Sequence, residues 1–117
     1  MVDRSLIVAR IDPAHTAEIA RLFAESDATE LPHVLGVRSR HLFNYRDLYF
    51  HYVEFEGDRH EALRAAAGRA DFQRLSRDLS PYARAYDPAT WRSPADAMAT
   101  EFYSWAPAAA PVRGGRS

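Results

Sequence analysis

Two strand-like runs, residues 34–45 and 47–56, follow each other with room for only a tight turn between them, and this pair restricts the fold most. The pattern predicts a β-hairpin. Large apolar side chains occur on both of its faces: Val37, Phe43, Leu48, Phe50 and Tyr52 on one, and Leu42, Tyr49, Val53 and Phe55 on the other. Helices of the same chain can cover one face, so we expect a second copy to cover the other, which predicts a homodimer.

The segment before the hairpin reads as a strand followed by a helix. Residues 4–11 are mostly apolar and rich in β-branched side chains, which predicts a buried strand. Asp12-Pro13 is a typical helix start, with an N-cap carboxylate followed by proline. Beyond it, an inward helix face has the spacing i, i+3, i+4 and i+7 and consists of Ile19, Leu22, Phe23 and Ser26.

The segment after the hairpin completes a βαββαβ order. Residues 58–67 and 70–79 are predicted helices, and the aromatic run 101–105 is the predicted last strand. This order predicts an α+β, ferredoxin-like fold, in which helices pack on one face of a single antiparallel sheet. We assign residues 1–107 to one domain and expect the Ala-, Pro- and Gly-rich residues 108–117 to form a disordered tail.

The composition excludes several kinds of chemistry. The 117 residues include no cysteine and no lysine, which removes thiolate nucleophiles, disulfides and Schiff bases. The formal net charge of −1 argues against nucleic-acid binding. The first apolar stretch is short and soon interrupted by charge, so we predict a cytoplasmic protein without a signal peptide. No histidine or carboxylate spacing predicts a metal site.

Arg40 and His51 are the strongest candidates for a reactive pair. If the hairpin turn has an even number of residues, such as Tyr45-Arg46, Arg40 lies directly across from His51 with both side chains on one face. His41 then lies on the opposite face. Charged and titratable groups among aromatic residues are costly unless a polar partner meets them. A satisfied core histidine or a rim salt bridge is the alternative explanation.

A third candidate is Asp27, whose carboxylate falls at the end of the first predicted helix. The helix dipole disfavours a negative charge there, which points to a role other than capping. The aromatic content of 12% also suits a flat, polyaromatic ligand, which would stack on such rings.

At these residues the chain resembles the tetracenomycin-type aromatic polyketide cyclases, a family that includes spore-pigment cyclases. The shared pattern extends to about Pro107, and its pieces occur in order. They are Asp12-Pro13, Asp27-Ala28-Thr29-Glu30-Leu31-Pro32, Gly36-Val37-Arg38-Ser39-Arg40, Leu42-Phe43, Asp47-Leu48-Tyr49-Phe50-His51, Pro81-Tyr82-Ala83 and Phe102-Tyr103-Ser104-Trp105.

The resemblance implies a ferredoxin-like homodimer that uses no cofactor and acts on aromatic polyketides of type II pathways. It implies that Asp27, Arg40 and His51 line the pocket. One position departs from the family, because Ser26 stands where tetracenomycin-type members have a histidine. Further predicted contacts with the substrate are made by Phe23, Ser26, Tyr49 and Trp105. Synthase components or an acyl carrier protein are candidate partners.

These assignments predict aldol-type ring closure and dehydration of a partly cyclised polyketide. His51 moves the proton, since an unperturbed histidine titrates near pH 6.5, and Arg40 stabilises the developing oxyanion. Asp27 orients His51 or accepts a proton during loss of water. The alternatives are a cofactor-independent monooxygenase of polyketide tailoring and a non-catalytic subunit that binds the chain for a synthase.

Overall fold

The computed structural model describes residues 2–92 and 94–107, with four strands and four α-helices. In chain order they are β1 (Asp3–Ile11), α1 (Thr16–Asp27), α2 (Leu31–Leu35), β2 (Val37–Tyr45), β3 (Leu48–Phe55), α3 (Arg59–Ala67), α4 (Ala70–Leu79) and β4 (Ala83–Ala85). Short 3₁₀ turns span Pro13–His15 and Pro94–Ala97. The strands form one antiparallel sheet in the order β2-β3-β1-β4. This confirms the predicted α+β arrangement.

The helices pack on the sheet face that carries Ser5, Ala9 and Ile11 of β1. The first helix follows its predicted pattern, since Ile19 and Phe23 are buried and Leu22 and Ser26 are partly buried. Its entry is also as predicted, because the Asp12 carboxylate accepts a hydrogen bond from the Ala14 N–H at 3.0 Å. Two groups of buried side chains result, one around Ile19 and Phe23 and the other around Val53, Phe55 and Ala62.

The predicted last strand is wrong. Residues 101–105 are not in a strand, and β4 is instead the short segment Ala83–Ala85, which pairs with the end of β1. The chain later returns to the same edge, where the Ala99 N–H donates to the Leu6 carbonyl at 2.7 Å. Aromatic residues favour strands only where a partner strand and a surface to pack on exist, and within the described part of the chain residues 101–105 have no partner strand and stay exposed.

The hairpin forms, but its register differs from the prediction by two residues. Its turn residues are Arg46 and Asp47, so that Arg40 pairs with Val53 and Leu42 pairs with His51. The turn is held there by β1, since the Ile11 N–H donates to the Asp47 carbonyl at 2.9 Å and Arg10 pairs with the Asp47 carboxylate at 2.7 Å. Because side chains alternate with a period of two, this shift leaves Arg40 and His51 on the same face.

The start of β2 also differs from the prediction. Val34 belongs to α2, and Gly36, with a positive φ of 73°, caps the C-terminal end of that helix. A bulge at Arg38 then changes the alternation, so that Val37 pairs with Phe55 and packs on the helix-covered face. The prediction that Val37 shares a face with Phe43 is therefore wrong.

The sheet face opposite the helices keeps large apolar side chains exposed at its β2 edge. Phe43 is 57% exposed and Tyr45 is 61% exposed. His41 also lies on this face, as predicted, and its ring is near those of Phe43 and Tyr52. Within the described ranges, no helix has the length and apolar character needed to cross a membrane.

Candidate active site

A cavity of about 450 Å³ lies between the helices and the face of the sheet that they cover. Its volume falls within the range of small-molecule sites, roughly 300–1,000 Å³. Most of its wall is apolar, including Ile7, Phe23, Leu31, Tyr49, Val53, Phe55, Leu63, Phe72, Leu75 and Trp91. Charged and polar lining groups include Arg40, His51, Ser5, Ser76 and Arg92. A flat, mostly apolar molecule with a few oxygens would match this lining.

Arg40 connects the two other predicted site residues. Its Nε donates to both carboxylate oxygens of Asp27, at 3.1 and 3.0 Å, and its Nη2 donates to Asp27 Oδ1 at 2.8 Å. Its Nη1 lies 2.9 Å from His51 Nε2. Asp27, at the end of α1, therefore holds the Arg40 guanidinium on β2 against the His51 imidazole on β3. The prediction that Asp27 orients His51 is corrected, because Asp27 contacts Arg40 and Arg40 contacts His51.

The hydrogen bond to Arg40 fixes the tautomer of His51. A guanidinium only donates, so Nε2 must accept and the proton of the neutral ring resides on Nδ1. Burial disfavours the imidazolium, and the neighbouring Arg40 charge disfavours it further, so the pKa of His51 is lowered to about 3. The resting site thus contains a neutral imidazole beside a charged guanidinium.

Aromatic rings surround this pair. The Phe23 ring centroid lies 5.0 Å from the His51 ring in an edge-to-face arrangement, and the Arg40 Cζ lies 5.1 Å from the Phe23 centroid. Tyr49 is buried next to His51, with 6.2 Å between ring centroids. Burial also raises the pKa of the Tyr49 hydroxyl, which stays protonated at neutral pH. The His51 imidazole and the Arg40 guanidinium therefore lie in a mostly aromatic environment that lowers their exposure to solvent.

The predicted site residues divide into two groups. Arg40, His51, Phe23 and Tyr49 line the cavity. Asp27, Ser26 and Trp105 do not, although Asp27 is bound to Arg40. Ser26 lies in the last turn of α1 and its carbonyl accepts from Thr29, while Trp105 is 75% exposed. Substrate contacts by Ser26 and Trp105 stay predictions.

The sequence did not single out several lining residues. Ser5 lies on β1, Phe72 and Ser76 lie on α4, and Arg92 lies in the segment after β4. Trp91 also lines the cavity, and no local pattern in the sequence separates it from an aromatic residue of the core. Across residues 2–92 and 94–107, no group of three or more His, Asp or Glu side chains is placed to bind a metal ion.

Comparison with known proteins gives concordant matches over nearly the whole chain. The family model for polyketide synthesis cyclases matches residues 3–106. Tetracenomycin F2 cyclase of Streptomyces glaucescens is 42% identical over 109 residues, covering 90% of this chain and 95% of that protein. Its solved structure matches with a TM-score of 0.83 at 40% identity and covers 90% of this chain and 98% of that chain.

Two further relatives have similar coverage. The polyketide synthase CurG of Streptomyces cyaneus is 44% identical over 101 residues, covering 86% of this chain and 94% of the relative. An uncharacterized protein of Streptomyces coelicolor is 48% identical over 102 residues, covering 86% and 92% of the two chains. Together with the family match, these relatives and the shared fold show that the chain belongs to the polyketide synthesis cyclase family.

Proposed function

We propose that this protein closes and dehydrates a ring in a partly cyclised aromatic polyketide, without a cofactor. The observation that carries the proposal is the chain of contacts from Asp27 through Arg40 to His51, at the wall of an apolar cavity. Membership of the cyclase family and similarity to tetracenomycin F2 cyclase support the reaction class and favour it over oxygenation.

Arg40 is suited to stabilise an oxyanion of the substrate. A guanidinium has five N–H groups, and its contacts with Asp27 and His51 use one on Nε, one on Nη2 and one on Nη1. One N–H on each terminal nitrogen is left to donate to an enolate or alkoxide oxygen. The Arg40 side chain is only 15% exposed, so this interaction is poorly screened by water.

His51 is suited to carry the proton. A carbon between two carbonyl groups is already acidic, so a positioned weak base is enough to form the enolate. In the resting site Arg40 and burial make the imidazole a poor base. When an enolate forms on Arg40, its negative charge favours the imidazolium, and the basicity of His51 rises at the step that needs it.

The reaction balances with these groups alone. His51 takes the proton from the carbon, and the enolate carbon attacks a second carbonyl, whose electron pair becomes an alkoxide held by Arg40. The imidazolium returns its proton to that alkoxide. Removal of a second proton and departure of the hydroxyl group as water give a double bond, and enolisation completes the aromatic ring. This is a lyase-type loss of one water, with no change in oxidation state.

Product analysis tests the proposal directly. Purified protein and a partly cyclised poly-β-ketone are incubated in air and under strict anaerobiosis, and products are identified by mass and NMR. We expect a ring-closed product lighter by one water at the same rate in both. His51→Ala should slow the reaction by about 10²- to 10⁴-fold without abolishing it.

Other outcomes would contradict the proposal. A requirement for oxygen, with a product heavier by oxygen, would identify a monooxygenase. A protein that is inert alone and alters products only when synthase components are present would be a binding subunit. Full activity of a correctly folded His51→Ala variant would remove His51 from the mechanism.

We further propose that the working protein is a homodimer formed through the sheet face opposite the helices. The support is the exposure of Phe43 and Tyr45 on that face, together with Phe102, Tyr103 and Trp105 in the segment that follows the edge of β1. Exposed aromatic residues on a face and on an arm of the same chain suit a two-fold arrangement in which each arm covers the partner's sheet.

A further inference from the structure

Ser5 is a buried polar residue that the proposed mechanism does not use. Ser5 is only 5% exposed, and among the described residues it is the one polar residue that is buried. Its hydroxyl makes no hydrogen bond to any residue in the ranges 2–92 and 94–107. Buried hydroxyl groups in folded proteins nearly always have a partner, and one without a partner costs free energy. Ser5 therefore calls for an explanation.

The position of Ser5 suggests that its missing partner is a bound ligand, because Ser5 lines the same cavity as Arg40 and His51. In the sheet, Val53 pairs with Arg40 on one side and with Ser5 on the other. These residues form a row across three neighbouring strands on the helix-covered face. Since strands lie about 4.8 Å apart, the backbones at Arg40 and Ser5 are roughly 10 Å apart. Ser5 is also the diagonal neighbour of His51, at about 7–8 Å between Cα atoms.

The side chains around Ser5 are apolar. Its row neighbour is Val53, the next residue along the same face of β1 is Ile7, and Ala62 and Phe55 line the adjacent wall. None of these side chains can accept or donate a hydrogen bond. The Ser5 hydroxyl is thus a hydrogen-bonding group in an otherwise apolar part of the cavity. The sheet holds it at a fixed distance from Arg40 and His51.

We infer that the Ser5 hydroxyl binds an oxygen substituent of the aromatic substrate, either a phenol or a ring carbonyl, while another part of the molecule meets Arg40 and His51. This inference rests on the proposed function and names the substrate as an oxygenated polyaromatic. The Ser5 contact fixes how far the recognised oxygen lies from the reacting carbonyl. It thereby selects which ring of the polyketide is presented to His51.

A binding experiment with inert ligands tests the inference without turnover. The ligands are 1,8-dihydroxyanthraquinone and anthraquinone, which share their rings and carbonyls but differ in phenol groups. Trp91 lines the cavity, so quenching of tryptophan fluorescence reports binding. The variant is Ser5→Ala, and the matched control is Ser76→Ala, which removes a hydroxyl from the same cavity at an exposed position.

We expect Ser5→Ala to weaken binding of the dihydroxy ligand by about 2- to 10-fold, the factor that one neutral hydrogen bond supplies. Equal weakening of anthraquinone would support recognition of a carbonyl, and weakening of the dihydroxy ligand alone would support recognition of a phenol. Ser76→Ala should change neither affinity by more than twofold. Unchanged affinity of Ser5→Ala for both ligands would overturn the inference.

The stability of the ligand-free variant gives a second, independent readout. Removing a buried hydroxyl that has no partner should leave the free energy of unfolding unchanged or increase it. A marked loss of stability would mean that the hydroxyl has a partner within the protein, and it would overturn the inference. Failure of the ring-closure assay alone would contradict the proposed function and leave the Ser5 binding result standing.

Discussion

Replacing His51 with glutamine is expected to make the stability of the protein less sensitive to acid. The pKa of His51 is about 3 in the folded protein, against 6.5 in an unfolded chain. Between these values the unfolded state binds one more proton than the folded state, so the free energy of unfolding falls as the pH is lowered. Glutamine does not titrate, and its side-chain carbonyl can accept the hydrogen bond from Arg40.

The size of the effect follows from the two pKa values. Below pH 6.5 each pH unit costs the wild type about 1.4 kcal/mol, until the folded-state pKa is reached. At pH 4.5 the accumulated loss is about 2–3 kcal/mol relative to neutral pH. This figure depends almost entirely on the unfolded-state pKa, because the folded-state pKa lies well below 4.5.

Urea unfolding from pH 8 to pH 4, at one fixed protein concentration, measures the difference. Carboxylates whose pKa is lowered by hydrogen bonds, such as Asp3 and Asp71, also make the protein less stable in acid. They are present in both proteins and cancel when the curves are subtracted. We expect the wild-type and His51→Gln curves to separate by about 2–3 kcal/mol between pH 7 and pH 4.5. Parallel curves would refute the assignment of His51 as a partly buried, neutral group with a lowered pKa.

Three further predictions concern the groups around this site and the open face of the sheet. Arg40→Gln should raise the pKa of His51 but leave it below 6.5, because burial is the larger cause of the shift. NMR titration of the imidazole measures this pKa, and an unchanged value would contradict the proposed effect of the Arg40 charge. Asp27→Asn should lower kcat by about 10- to 100-fold, because Arg40 loses a charged partner. A change in KM alone would instead assign Asp27 to substrate binding. If the protein is the proposed dimer, Phe43→Glu should convert it into a folded monomer in light scattering, and a wild-type monomer at micromolar concentration would contradict the dimer proposal.

The relation between Arg40 and His51 could be predicted from the sequence although the register was wrong. Side-chain direction in a strand depends only on parity, so an error of two residues preserves the face. The contact then forms on a diagonal, because an arginine side chain is long enough to reach the neighbouring pair. The register itself depends on Asp47 and its contacts with β1, which are distant in sequence.

Other features could not be read from local patterns. Asp27 was identified as a misplaced carboxylate, but its contact with Arg40 joins the end of a helix to a strand, and no periodicity encodes such a contact. The bulge at Arg38 changes the face of Val37 without any glycine to indicate it. The length of β4 and the path of residues 98–101 depend on which part of the β1 edge is free, which is a property of the assembled sheet.

The low basicity of His51 is the part of the site that most alters its interpretation. A histidine with an ordinary pKa would be partly protonated at neutral pH and could act as an acid before the substrate arrives. Here, burial and Arg40 keep the ring neutral, with its lone pair occupied by a guanidinium N–H. In the proposed reaction, an enolate accepts from the remaining Arg40 N–H groups, which weakens the Arg40 hydrogen bond to His51, and it adds a negative charge beside the ring. Both changes would favour transfer of the proton to Nε2, so the proposed mechanism has Arg40 suppress the base before the substrate binds and promote it once an acidic diketone is bound.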